Sequence, residues 1–380
     1  MSLPDEQAPT RTARSARRRR LAVLAGALLV AALAGVIWRA AATPHYYSTT
    51  TSLDVVAFPD PDHAWVAGDS WTNGGGLIAG GTIHATTSGG VGWRKQEFGP
   101  DWSDPSGIAF ANARYGWVVG TAQAVSDSLP SDGNMLLATT DGGATWKKQV
   151  CRTKYLLNGV ACVSASRAWV DAARVNPHGG AIFVTDDGGL RWRQQYATGA
   201  GDLWSIAFAD ARHGWAVGDG VILATTDGGA SWSRQGAAKG YALRSVACGD
   251  ARSAWAVGSS ASNRDVTLVT TDGGASWRVQ YTGSGPNSQG AIGYTGVAFA
   301  DTLHGWVVGL DGTILATTNG GRIWKPQRSG TKMDLNGVAF ADARHGVVVG
   351  DHIEGDDPEA GKLDGSIILR TTDGGATWTH

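Results

Sequence analysis

Glutamate, methionine and cysteine are scarce in this 380-residue chain, at four, three and three residues. Beside 55 glycines, the first two scarcities argue against a helical bundle, since each glycine inside a helix costs about 1 kcal/mol relative to alanine. Three cysteines without a Cys-x-x-Cys pair give no support to a zinc or thioredoxin-like site. Charge is also thin, at 17% of residues. Residues 1–39 hold seven arginines against Asp5 and Glu6, which leaves residues 40–380 with a net charge of −6. A domain of that sign has no overall field to attract nucleic acid, so a nucleic-acid partner is not expected. HxxxH, GxSxG and phosphate-loop patterns are absent, so no catalytic constellation and no cofactor or metal are expected.

What is present is apolar and aromatic: 42% hydrophobic residues and 17 tryptophans, enough to bury a large core. The first long apolar run, Leu21–Trp38, has eighteen residues without a charge and follows Arg17–Arg20. That length is near the lower limit for crossing a bilayer, and the arginines hold the N-terminus in the cytoplasm. The expected organisation is a basic cytoplasmic tail (1–20), a transmembrane signal anchor (21–38), a linker or closing strand (39–50) and an extracytoplasmic domain (51–380). The alternative is a signal removed near Ala42 and a secreted domain. In either case the large domain leaves the cytoplasm. An odd cysteine count there permits one disulfide, with Cys151 and Cys162 the pair close in sequence. The other reading is that Cys162 and Cys248, which replace a repeated phenylalanine, are buried core residues.

Seven segments share the pattern Thr-x-Asp-Gly-Gly-x-x-Trp: Thr86–Trp93, Thr139–Trp146, Thr185–Trp192, Thr225–Trp232, Thr270–Trp277, Thr317–Trp324 and Thr371–Trp378, with Ser88 and Asn319 standing for Asp in the first and sixth. The closing tryptophans are 40 to 54 residues apart. A Val-Ala-Phe run and a Gly-Trp-Val-Val-Gly run recur within each unit, with Val347 replacing the second tryptophan in the last. Short β-branched and aromatic runs bounded by Gly/Asp turns read as strands. Four strands per unit, in about 47 residues, make a propeller blade. The fold expected is all-β: a seven-bladed β-propeller of four-stranded blades over 51–380. Strand D of blade seven is nearly lost at Thr379-His380, and residues 45–51 either pair beside that blade or form a simple linker.

The box has a turn chemistry of its own. Glycine supplies positive φ between strands C and D, and the Asp carboxylate can accept from free N–H groups of the turn. Asp141, Asp187, Asp227, Asp272, Asn319 and Asp373 therefore read as turn staples. Trp93, Trp146, Trp192, Trp232, Trp277, Trp324 and Trp378 read as core.

These boxes, with the Gly-Trp-Val-Val-Gly strands, resemble the Asp-box (bacterial neuraminidase) repeat. With the Val-Ala-Phe strand before them they look most like the photosystem II stability/assembly factor-like propellers, across residues 51–380. The resemblance implies a lumenal or periplasmic non-enzymatic factor that binds a membrane-protein or envelope-protein client through a basic patch. Arg114, Arg167, Arg212, Arg252 and Arg344 share one place between strands A and B and are the candidates, with carboxylates such as Asp210 and Asp342 expected to neutralise part of their charge. Sialidases share the boxes, but no arginine lies between Thr51 and Trp93 and no Arg-Ile-Pro occurs.

Irregular loops give the second candidate surface. In a propeller the B–C and D–A connections share one face, and loops on a rigid scaffold are where binding concentrates. Long B–C loops are expected at Asp69–Gly81, Thr121–Asn134, Asp171–Gly180 and Asp351–Gly365, in blades that become neighbours on ring closure. Trp71 and Trp102 lie among them as candidate anchors, beside the acidic run with Asp351, Glu354, Asp356 and Asp357. They suit a protein contact or, alternatively, a glycan-binding or glycoside-hydrolase-like propeller.

Overall fold

The computed structural model describes residues 52–380 apart from 72–77, 99–101, 123–133, 176–177, 200, 237–238, 284–292 and 352–364. The expected tail, anchor, linker and closing strand, together with Glu354, Asp356 and Asp357, lie outside the described residues. Among the described residues no helix is long and apolar enough to cross a membrane.

Seven antiparallel sheets follow one another along the chain. Blade four shows the plan: strand A is Leu203–Phe208, B is Gly214–Gly218, C is Val221–Thr225 and D is Ser233–Arg234. The seven A strands pack on one another in an unbroken ring, with blade one against both blade two and blade seven. Six sheets have four strands. Blade seven has three (Asp334–Phe340, Gly346–Asp351 and Ser366–Thr371), and the last residues add only a bridge between Thr379 and Arg370.

Strand B is buried from end to end, as in Gly214–Gly218, because neighbouring blades cover both faces of its sheet. The blades are joined by an aromatic sandwich. Trp65 of blade one stacks on Phe110 of blade two, with centroids 3.5 Å apart and planes 9° off parallel. Phe110 meets the box tryptophan Trp146 edge-on at 6.0 Å. The same triple recurs as Trp169–Phe208–Trp232, Trp255–Phe299–Trp324 and Trp306–Phe340–Trp378. The edge contact is the one that aromatic quadrupoles favour, and the face-to-face stack buries two large apolar rings against each other.

The junctions from blade two to three and from four to five lack the phenylalanine. Cys162 packs there with Trp117 and Trp192, and Cys248 with Trp215 and Trp277. Of the two readings of the cysteines, the permitted Cys151–Cys162 disulfide is not formed: all three thiols are free. The Cys162 sulfur fills the place of a ring at the junction, and Cys151 packs at the margin of the same apolar cluster. Burial pushes each thiol up to about 12, which disfavours the thiolate form.

Parts of two expected loops prove to be strand. In blade three strand B runs to Val175, which pairs with His178 at the start of strand C. In blade one Asp69 pairs with Gly81 and Trp71 with Ile78.

Candidate functional site

The inner ring carries a repeated irregularity. In blade four Leu203 pairs with Gly218 and Ser205 with Val217, leaving Trp204 as a bulge between them. The same shift leaves Ser106, Asn158, Arg244, Thr295 and Asn336 unpaired in blades two, three, five, six and seven. A bulge re-aims the side chain of its extra residue. It also explains the last glycine of Gly-Trp-Val-Val-Gly. A Cβ on Gly218 would fall 1.8 Å from the carbonyl oxygen of Asp202, so the bulged strand comes too close for any side chain.

Four of the bulged side chains bind the next blade. Ser106 donates to Leu157 O (2.9 Å), Asn158 to Leu203 O (2.6 Å), Thr295 to Leu335 O (2.5 Å) and Asn336 to Leu53 O (3.2 Å). Trp204 and Arg244 do something else. The Arg244 guanidinium stands 5.8 Å from the Trp204 ring. Arg244 is exposed and Trp204 half-buried, and neither forms a hydrogen bond or ion pair among the described residues. A guanidinium stacked on an indole keeps its in-plane N–H donors available for a carboxylate.

The pair sits near the start of its A strands, so it belongs to the B–C/D–A face. An open cleft of about 670 Å³ lies on that face of blade four, lined by Gly201, Asp219, Gly220, Arg234 and Lys239 among others. Arg234 donates to Gly220 O at 2.9 Å, and Lys239 is exposed. Sequence reasoning missed this region. The available signal was that Trp204, like Trp71 and Trp102, is a tryptophan outside the two repeat positions.

The structure places the remaining candidates as follows. Trp71 closes strand B of blade one (Ala64–Trp71), and Trp102 opens strand A of blade two (Trp102–Phe110), a strand position rather than the expected connecting loop. Asp351 closes strand B of blade seven and accepts from Asn336 at 2.9 Å. All three share the face of Trp204 and Arg244.

The arginines lie on the opposite face, where each A–B turn is tied to its box. Arg212 O accepts from Gly228 N at 2.8 Å, and Arg114, Arg252 and Arg344 repeat the bond. Arg167 does not share their place. In blade three Ser166 O accepts this bond, from Gly188 N. Arg167 stands one residue further on, where blade four has His213, and pairs with Asp186 at 3.1 Å while packing 5.0 Å from the Trp169 ring. The neighbouring carboxylates do not pair with the arginines directly. Asp210 and Asp342 accept from the histidines His213 and His345 and from turn N–H groups, not from a guanidinium.

The box carboxylates are engaged in their own turns. Asp227 accepts from Thr225 Oγ1, Ser231 N and Ser231 Oγ, and the Ser231 bonds lower its pKa to about 2. Asp141 and Asp373 repeat the pattern with Thr145 and Thr377 and Asp272 with Ser276, while Asp187 and Asn319 keep the box threonine and the backbone N–H but lack the second hydroxyl. Among the described residues no three His, Cys, Asp or Glu side chains are grouped to hold a metal ion.

The repeat and the ring of sheets define an Asp-box β-propeller with seven blades. A family model described as Photosynthesis system II assembly factor YCF48 matches residues 199–289. YCF48 bound to D1 peptide is a similar solved structure, with TM-score 0.60 and 18% identity over 86% of this chain and 95% of that one. YCF48 from Cyanidioschyzon merolae has TM-score 0.56 and 18% identity over 86% and 96%. No curated protein matches the chain. The chain is thus similar to the photosystem II assembly-factor propellers, and at this identity the likeness to the solved structures is one of fold.

Proposed function

We propose that this chain is a non-enzymatic propeller that binds a protein client as an assembly or stability factor. Residues 21–38 anchor it in the membrane, and the propeller works outside the cytoplasm. The client presents a carboxylate-bearing segment to the Trp204–Arg244 pair at the mouth of the inner ring. One observation carries this reading: of the six bulged side chains in blades two to seven, four bind the next blade while these two remain available. Two comparisons support it. The family match spans blades four and five, which contain the pair, and the similar YCF48 structure holds a D1 peptide.

Mild cross-linking of the tagged full-length protein in its own membrane, followed by mass spectrometry, tests the function. One dominant membrane-protein partner is the expected result. Replacing both Trp204 and Arg244 by alanine should weaken that partner's binding by about tenfold or more, as removal of a central aromatic–Arg anchor does. Recovery of cell-wall material without a protein would contradict the reading.

A further inference from the structure

The junction that closes the ring is built differently from the others. Val347 stands where the other blades have tryptophan, so Phe58 has no indole to stack on, and blade seven lacks a full strand D. Four carboxylates from three blades gather there instead. Asp54 immediately precedes strand A of blade one. Asp69 lies on strand B of the same blade, Asp104 on strand A of blade two and Asp351 on strand B of blade seven.

Few donors reach Asp54, Asp69 and Asp104 among the described residues. Asn336 Nδ2, on strand A of blade seven, serves Leu53 O at 3.2 Å, Asp54 Oδ1 at 3.4 Å and Asp351 Oδ1 at 2.9 Å, three acceptors for two hydrogens. Ser52 Oγ donates to Asp54 at 3.2 Å. Asp69 accepts from the backbone N–H of Asp104 at 2.5 Å, and Thr121 Oγ1 donates to Asp104 at 3.1 Å. Asp334, beside Asn336, turns away to accept from Asp311 N of blade six. Asp54, Asp69 and Asp104 form no ion pair with Lys, Arg or His among the described residues.

We propose that this carboxylate cluster makes the closing junction a proton-sensitive clasp, tight when the cluster is protonated and loosened as it ionises. Burial, followed by the charges of Asp351 and Asp69, raises Asp54 to about 7. Burial and the charge of Asp104 raise Asp69 to about 6, against the N–H bond that lowers it. A carboxyl raised in the folded state binds more protons there than in the unfolded chain. Its contribution is therefore complete below about pH 4, declines as pH rises, and is lost above about pH 7. The clasp lies on the client-binding face, so a change of compartment pH alters the rigidity of that face.

The test is best made in an Asp171→Val background, because the buried Asp171 titrates in the same range. Melting temperature is recorded from about pH 5 to about pH 8, with hydrogen exchange of peptides covering residues 52–58 and 334–351 corrected for intrinsic rates. The background protein should lose about 5 °C over this range, with exchange rising in those peptides first. Asp54→Asn should remove at least half of the loss and melt higher than the background at about pH 8. Asp69→Asn should do the same in smaller measure, and serves if the first variant does not fold. An equal loss in all proteins, or uniform exchange across the blades, would overturn the proposal.

Discussion

The indole N–H of Trp65 in blade one donates to the carbonyl oxygen of Gly142 in blade two, 3.0 Å away. Trp169, Trp255 and Trp306 repeat this bond to Gly228, Gly320 and Gly374. Trp117 and Trp215 have buried Nε1 atoms without an acceptor, and these are the two indoles packed against cysteine rather than phenylalanine. The flat ring of a phenylalanine thus holds the indole in line with the next box, and a thiol does not.

That relationship ranks the junctions. Phe110→Ala should destabilise the propeller by about 3–5 kcal/mol, because it removes the ring that stacks on Trp65 and meets Trp146 edge-on, and with it the alignment of Trp65. Cys162→Ala removes one sulfur from a junction without the indole bond and should cost less than half as much. Denaturant titrations of the two variants check the order.

Asp171 occupies the strand-B place held by Val119, Val217, Val257, Val308 and Val349 in other blades. Its side chain fills the space of a missing one on Gly159, yet both carboxyl oxygens are buried without a hydrogen-bond partner. Burial raises its pKa to about 7. Its penalty is small near pH 4 and full above about pH 7, since ionisation in place costs more than in the unfolded chain. Asp171→Val should stabilise the fold by about 1–3 kcal/mol at about pH 8 and by less at about pH 5. Paired melting curves at the two values decide this.

The second glycine of the box answers a close approach as well as a turn. Gly143 has φ 84°, and a Cβ there would lie 2.0 Å from Gln96 Oε1 of the preceding blade. Gln96 links the blades by donating to Gly142 O and accepting from Trp146 Nε1, both at 3.0 Å. Gly143→Ala should therefore cost more than the roughly 1 kcal/mol of an unfavourable φ alone. In a Gln96→Ala background the additional cost of Gly143→Ala should shrink, which a double-mutant cycle measures.

The blade count and the strand order were legible because each box marks one turn between strands C and D, and seven boxes mark seven blades. The role of the strand-D glutamines was not, because Gln96 acts across a junction that no single repeat contains. Arg167 was misplaced by one residue because Ser164-Ala-Ser166 imitates the Asp-Ala-Arg spacing of its neighbours. Asp171–Gly180 looked like a loop because Asn and Pro at its centre mask two strands that simply run long. Trp204 and Arg244 stood out only after the bulges showed that their counterparts bind adjacent blades. Asp171 reads in the sequence as the first residue of the Asp171–Gly180 loop, and its isolation depends on packing from blade four.

Site-specific photo-cross-linking in the native membrane tests the central claim most directly, with the photoreactive residue placed at position 204 in one protein and at position 212, on the opposite face, in another. The account predicts one dominant protein adduct from position 204, competed away by excess unlabelled propeller, and none of comparable yield from position 212. No adduct from position 204, or equal adducts from both faces, would contradict it.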